Sequence, residues 1–158
     1  MAGSIRVWRA RTLLTSLLVS LAASVSTLSY GADAAGEIKK TRGQATIERS
    51  GQVVPAQVGA SVFATDRLRT GADGRLGVAL RDGTLLSAGP NSIVTLEKFR
   101  FDAQNDSGAM SVGVNKGSLA VATGKIAKKT PESVDFHTPT TVLGVRGTEF
   151  LIAVDGED

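Results

Sequence analysis

From Gly36 onward, apolar and polar residues alternate in short runs, interrupted every 8 to 15 positions by Gly, Asp-Gly or Pro. The runs are "QATIER" (44–49), "DRLRTG" (66–71), "GRLGVAL" (74–80), "TLLSA" (84–88), "SIVTLEKFRFD" (92–102), "AMSVGV" (109–114), "SLAVAT" (118–123), "SVDFHT" (133–138) and "TEFLIAV" (148–154). Period-two alternation with this punctuation predicts many short β-strands, because successive side chains of a strand point to opposite faces. No window carries the 3.6-residue apolar stripe of a sustained helix. The predicted fold class is all-β, either β-solenoid-like or a compact β-sandwich; the glycines recur loosely, without a residue-level repeat.

The parity of the runs adds detail. Leu76, Val78 and Leu80 share one face, and the other face carries Gly77 and Ala79, small enough to lie beneath a neighbouring layer. In 92–102 the inward set Val94 and Leu96 gives way to Phe99 and Phe101, a change of frame that requires a bulge or bend near Glu97-Lys98. Asp82-Gly83 reads as a tight type I′ turn, with similar turns at Asp73-Gly74 and Asn115-Lys116-Gly117. Two stretches break the pattern. "DAQNDSG" (102–108) reads as a polar loop, and "GKIAKKTPES" (124–133) as a basic, Pro-terminated connection suited to disorder or to a partner contact.

The N-terminus follows a different logic. Arg6, Arg9 and Arg11 precede an apolar run from Leu13 to Leu28, and small residues follow, which is the layout of a secretory signal peptide. Cleavage after Ala34 uses Ala32-Asp33-Ala34; cleavage after Gly31 uses Ser29-Tyr30-Gly31. The first is preferred, giving a signal peptide at 1–34 and one domain at 35–158, located in the periplasm or secreted. The run is short of the roughly 20 apolar residues that span a bilayer, so no stable membrane span is expected after cleavage.

This leader changes the meaning of the charge. The full chain has a net charge of +3, but residues 1–34 hold three Arg and one Asp, leaving 15 basic against 14 acidic groups. The lone Tyr and Trp also fall in the leader. Without a basic surplus or aromatic platforms, nucleic acid is not an expected partner. The chain has no cysteine, so disulfides, thiol chemistry and a lipoprotein anchor are excluded.

Candidate chemistry is sparse. His137 is the single histidine, facing outward beside Asp135, with no nucleophile-elbow sequence to supply a Ser/His/Asp site. One His and no Cys cannot supply the usual ligands of zinc. Asp102, Gln104 and Asp106 alternate as in a calcium loop, but Ser107 and Gly113 stand where Gly and a bidentate Glu are required. Gly117 to Lys125 ends like a phosphate-binding loop, with the wrong glycine spacing and no Ser or Thr after the Lys. Asp66, Asp73, Asp82, Glu97 and Glu149 are scattered and sit mostly in turns. No catalytic, cofactor-binding or metal residue is assigned, and Lys125, Lys128 and Lys129 are kept as a possible contact for an anionic partner.

One feature of the C-terminal stretch remains: Arg146 between glycines, inside an apolar run. On an unbroken strand it would point inward with Phe150, Ile152 and Val154, and an unpaired buried guanidinium is prohibitively costly. Gly144 and Gly147 let the backbone turn, so Gly144, Arg146, Gly147 and Thr148 are read as a structural corner, with Asp73 and Asp82 as candidate partners of Arg146.

The turns in "LRTGADGRLGVALRDGTLLSAGPNSIVTL" (68–96), a following Gly-Ser-Leu strand and the closing "TPTTVLGVRGTEFLIAV" together resemble the FecR domain of bacterial envelope proteins, from about Gly36 to Val154. The resemblance implies an all-β, solenoid-like periplasmic fold that works by protein contact rather than catalysis. In regulatory members this domain relays a signal from an outer-membrane transporter through the membrane to a sigma factor. Only about 12 residues precede the apolar run here, so the expectation is a stand-alone secreted FecR domain, not a transmembrane anti-sigma regulator. Its expected role is a non-enzymatic envelope protein-interaction module with an envelope protein as partner; the alternative is a glycan- or peptidoglycan-binding domain.

Overall fold

The computed structural model describes residues 33–145 and 149–155, which belong to one compact unit. The described strands are β1 (Gly36–Arg42), β2 (Ala45–Arg49), β3 (Gln52–Pro55), β4 (Ser61–Val62), β5 (Arg67–Thr70), β6 (Arg75–Leu80), β7 (Leu85–Ala88), β8 (Ile93–Asp102), β9 (Ser107–Ala122), β10 (Val134–His137), β11 (Val142–Gly144) and β12 (Glu149–Val154). A short helix, α1 (Lys125–Lys129), and a 3-10 turn at Pro131–Ser133 connect β9 to β10. The all-β expectation holds. Ladders among these strands are antiparallel except for β10 beside β9, as in a curled half-barrel sheet.

β9 organises the fold by belonging to two sheets. Up to Lys116 it pairs with β8, in the order β3-β2-β5-β8-β9-β10-β11; from Gly117 it pairs with β7 and β12, in the order β12-β9-β7-β6-β1-β4. The sequence reading divides this strand in two at an Asn115-Lys116-Gly117 turn. Instead Gly117, at φ +80°, bends the strand without ending it, and a Cβ there would strike Ser92. Pairing on both flanks keeps the ladder continuous through the bend.

The expected turns also change. Gly83 is left-handed at φ +86° but Asp82 is not, and Gly83 N–H donates to Leu80 O while Leu80 N–H donates to Thr84 O. This is a three-residue loop with a left-handed glycine, not a two-residue type I′ turn. At Asp73-Gly74 neither residue has positive φ, and Gly74 N–H closes on Gly71 O. The positive-φ pair that a type I′ turn demands occurs at Ser50-Gly51, between β2 and β3. By contrast, the bulge expected at Glu97-Lys98 is present: the β8–β9 register shifts between Leu96 and Lys98.

Alternation places the core between the sheets. Leu76, Val78, Leu86, Leu119, Val121 and Ile152 come from one sheet; Ile47, Leu68, Val94, Leu96, Val112 and Phe136 come from the other, all buried. Each such side chain contributes about 1.5–3 kcal/mol by leaving water. Phe136 and Phe150 join the sheets edge to face, their centroids 5.0 Å apart. The connection at 124–133, expected to be disordered or to meet a partner, forms α1 and the 3-10 turn, with Ile126 fully buried against the core. Strands β1, β3, β4 and β11 lie outside the predicted runs, being too short or too polar to alternate visibly.

Candidate functional site

The buried polar groups act as structural pins. Asp82, 1% exposed, accepts from Thr84 N–H, Thr84 Oγ1 and Ile126 N–H, and Thr84 Oγ1 accepts from Gly124 N–H. The 81–84 loop thereby holds the segment that carries Ile126. Thr70 Oγ1 donates to Gly89 O and accepts from Ser92 N–H; Ser92 Oγ donates to Ser118 O and accepts from Ser118 N–H. The Leu-Arg-Thr-Gly and Pro-Asn-Ser motifs are thus stitched to each other and to the bend of β9. Asp66, fully buried, takes two bonds from Arg49 at 2.7 and 2.6 Å and one from Phe63 N–H, with the guanidinium 4.4 Å above the Phe63 ring. Donating to the Asp66 carboxylate holds the Arg49 pKa above its ordinary value.

The residues nominated from sequence are spread over the molecule. Gly144 ends β11, exposed, with open space around it, and Val145 is buried. β11 belongs to one sheet and β12 to the other, while Arg146, Gly147 and Thr148 lie outside the described residues. Asp82, a candidate partner of Arg146, is occupied by the bonds given above; Asp73 accepts from Gln44 N–H. Lys125 pairs with Asp106 at 2.8 Å, and Lys128 and Lys129 lie exposed in the last turn of α1. The 102–107 loop is a hairpin tip whose Asp102 carboxylate accepts from Gln104 N–H and Asn105 Nδ2. These bonds, the one from Gln104 first, lower the Asp102 pKa. Among the described residues no group of three or more His, Asp or Glu side chains converges as metal ligands.

His137 has more company than its sequence neighbours imply. Its Nε2 lies 3.0 Å from Glu97 Oε1, a residue 40 positions away, and its Nδ1 lies 3.7 Å from Asp135 Oδ2. The ring covers Gly113, where a Cβ would meet Nε2 at 2.9 Å. Ser111 Oγ donates to Asp135 at 2.7 Å. A nucleophilic relay requires the serine to bond the imidazole; here serine and imidazole each bond carboxylates, so the cluster cross-links β8, β9 and β10.

The least explained surface is the outer face of the second sheet. A cavity of about 740 Å³ lies over it, floored by Gly77, Ser87 and Ala120 and bordered by Lys40, Arg42 and Arg75. Gly77 and Ala79 are small, and their parity predicts a covering layer. They are half-buried, and the face over Gly77 is a trough. The signal for the trough is small residues at outward parity in three runs, 74–80, 84–88 and 118–123, which become neighbours only through the strand register.

The family model described as FecR protein matches residues 66–158, a shorter span than the resemblance read from about Gly36. A solved structure titled "Cell surface anchoring domain" is 32% identical over 39% of this chain and 82% of its own length, with a TM-score of 0.38. No curated protein matches the chain. No helix among the described residues is long and apolar enough to cross a membrane.

Proposed function

The chain belongs to the FecR protein family, and from that premise we propose that it is a non-enzymatic protein-interaction module of the cell envelope, exported by a leader at 1–34 to the periplasm or beyond. The observation that carries this reading is the pair of margins of the first sheet. At one margin β3 leaves Val53 63% and Val54 41% exposed; at the other β11 leaves Val142 74% exposed. Sheet edges that are not meant to pair are normally blunted with charge, and an apolar edge offers both backbone bonds and side-chain contacts to an added strand. The polar groups that act as pins in the body of the fold are already bonded internally, which supports contact at a margin over chemistry at a cleft.

The test is capture from the native envelope fraction with the tagged mature chain, alongside Val53→Lys and Val142→Lys variants that place a charge on each edge. Enrichment of one protein by the wild type, lost in an edge variant that melts normally, is expected. Retention on purified cell-wall polysaccharide with no protein partner would instead favour a glycan-binding domain and overturn the reading.

A further inference from the structure

Strand register sets Lys40, Gly77, Ser87, Ala120 and Leu151 side by side in one row across five strands of the second sheet. At about 4.8 Å per strand the row is roughly 19 Å long, the length of an extended segment of about six residues. Its centre is built from a glycine, a serine and an alanine on adjacent strands, so another backbone can approach closely. The 740 Å³ above it falls in the range of about 300–1,000 Å³ typical of ligand sites.

Charge defines the occupant. Arg42 stands directly opposite Arg75 across the β1–β6 ladder, one pair beyond Lys40 and Gly77 on the same face. Like charges directly opposed destabilise a sheet. No carboxylate among the described residues lies within ion-pair distance of Lys40, Arg42 or Arg75. The nearby acids are engaged or displaced: Glu37 pairs with Lys39, Asp73 accepts from Gln44 N–H, and Glu149 sits one row away at the far margin, opposite Ala122. The far end of the row is apolar, with Leu151 68% exposed.

We propose that this trough binds an acidic, extended polypeptide segment of a partner protein. Its carboxylates lie over Lys40, Arg42 and Arg75, its backbone runs along Gly77, Ser87 and Ala120, and an apolar side chain rests on Leu151. The inference takes from the preceding reading only that the partner is a polypeptide; the surface and its chemistry are separate from the sheet margins. A narrow floor of small residues with cations confined to one end suits a chain lying across the strands better than a membrane, which would meet a broad basic face.

The probe is a fluorescein-labelled peptide of about seven residues alternating glutamate and valine, with a lysine–valine peptide as control. Binding is read by anisotropy with the mature protein, and by shifts of the Gly77, Ser87 and Ala120 amide resonances. The acidic peptide should bind and the basic one should not, with affinity falling between about 50 and 300 mM salt. The Arg42→Glu/Arg75→Glu double variant should weaken binding by about tenfold or more. Ala120→Trp should weaken it similarly by filling the floor at unchanged charge, each variant being checked for a native melting transition. Equal binding of both peptides, insensitivity to Ala120→Trp, or binding of anionic phospholipid vesicles in place of the peptide would overturn the proposal. If the peptide fails while Val53→Lys or Val142→Lys still abolishes partner capture, the trough falls and the interaction module stands.

Discussion

The two faces of the second sheet are made by the same strands and behave oppositely. Inward, Leu76, Val78, Leu86, Leu119 and Val121 are within a few percent of complete burial. Outward, the same strands present Gly77, Ser87 and Ala120, with Arg42 and Arg75 opposed at the border. Polar groups divide the same way: the buried Asp82, Thr84 and Ser92 each have internal partners, whereas the border cations have no internal counter-charge among the described residues. The inner face, with its pins, therefore carries the stability of the fold. On the outer face the opposed Arg42 and Arg75 work against the sheet, the pattern expected where side chains serve a contact with another molecule.

The contrast is broken first by the pins. Asp82→Ala leaves Thr84 N–H, Thr84 Oγ1 and Ile126 N–H without their acceptor, and unfolding by urea should show a loss of about 3 kcal/mol. A loss below about 1 kcal/mol would mean that the 81–84 loop does not hold the helix segment. Thr70→Val removes the bond to Gly89 O and the acceptor for Ser92 N–H while keeping the side-chain shape. Its expected cost is about 1.5 kcal/mol by the same titration, with peptide binding to the trough unchanged.

The corner comes next. Arg146→Ala is expected to lower stability by about 1 kcal/mol or more if the bonds of its guanidinium are buried. An unchanged melting temperature with loss of partner capture would make Arg146 a contact residue instead.

What could be read from the chain divides along the lines of local and non-local order. The inward set of β6 was legible because its alternation is local, and the bulge at Glu97-Lys98 was legible because a change of parity requires an extra residue wherever the partner strand lies. Gly117 misled because Asn-Lys-Gly has turn chemistry, and only pairing to β8 on one side and β7 on the other shows that the strand continues. Asp82 reads as a turn residue and a candidate partner of Arg146; its carboxylate is instead buried against a segment more than 40 positions later. The Glu97–His137 contact and the trough share that origin. Both are products of register, and the outer row joins positions 40, 77, 87, 120 and 151, which no window of sequence brings together. The corner at Gly144, Arg146, Gly147 and Thr148 rests on glycine placement and on the inward parity of Arg146, and three of its residues lie outside the described part of the chain.

The smallest expected effect sharpens the comparison most, because its sign differs from the rest. Arg75→Glu replaces a repulsion across the β1–β6 ladder with an attraction to Arg42 on an exposed face. Cross-strand pairs of this kind are worth a few tenths of a kcal/mol, so the variant should gain about 0.5 kcal/mol, or roughly 2 °C in melting temperature. High salt should erase the gain, since the pair is exposed and screened. Arg75→Ala should recover part of it by removing the repulsion alone. A variant that is more stable yet binds the acidic peptide more weakly would separate the two faces by experiment: the wild-type arginine then disfavours the fold and favours the contact. If Arg75→Glu destabilises instead, Arg75 is supporting the sheet, and the outer face belongs to the same structural economy as the inner one.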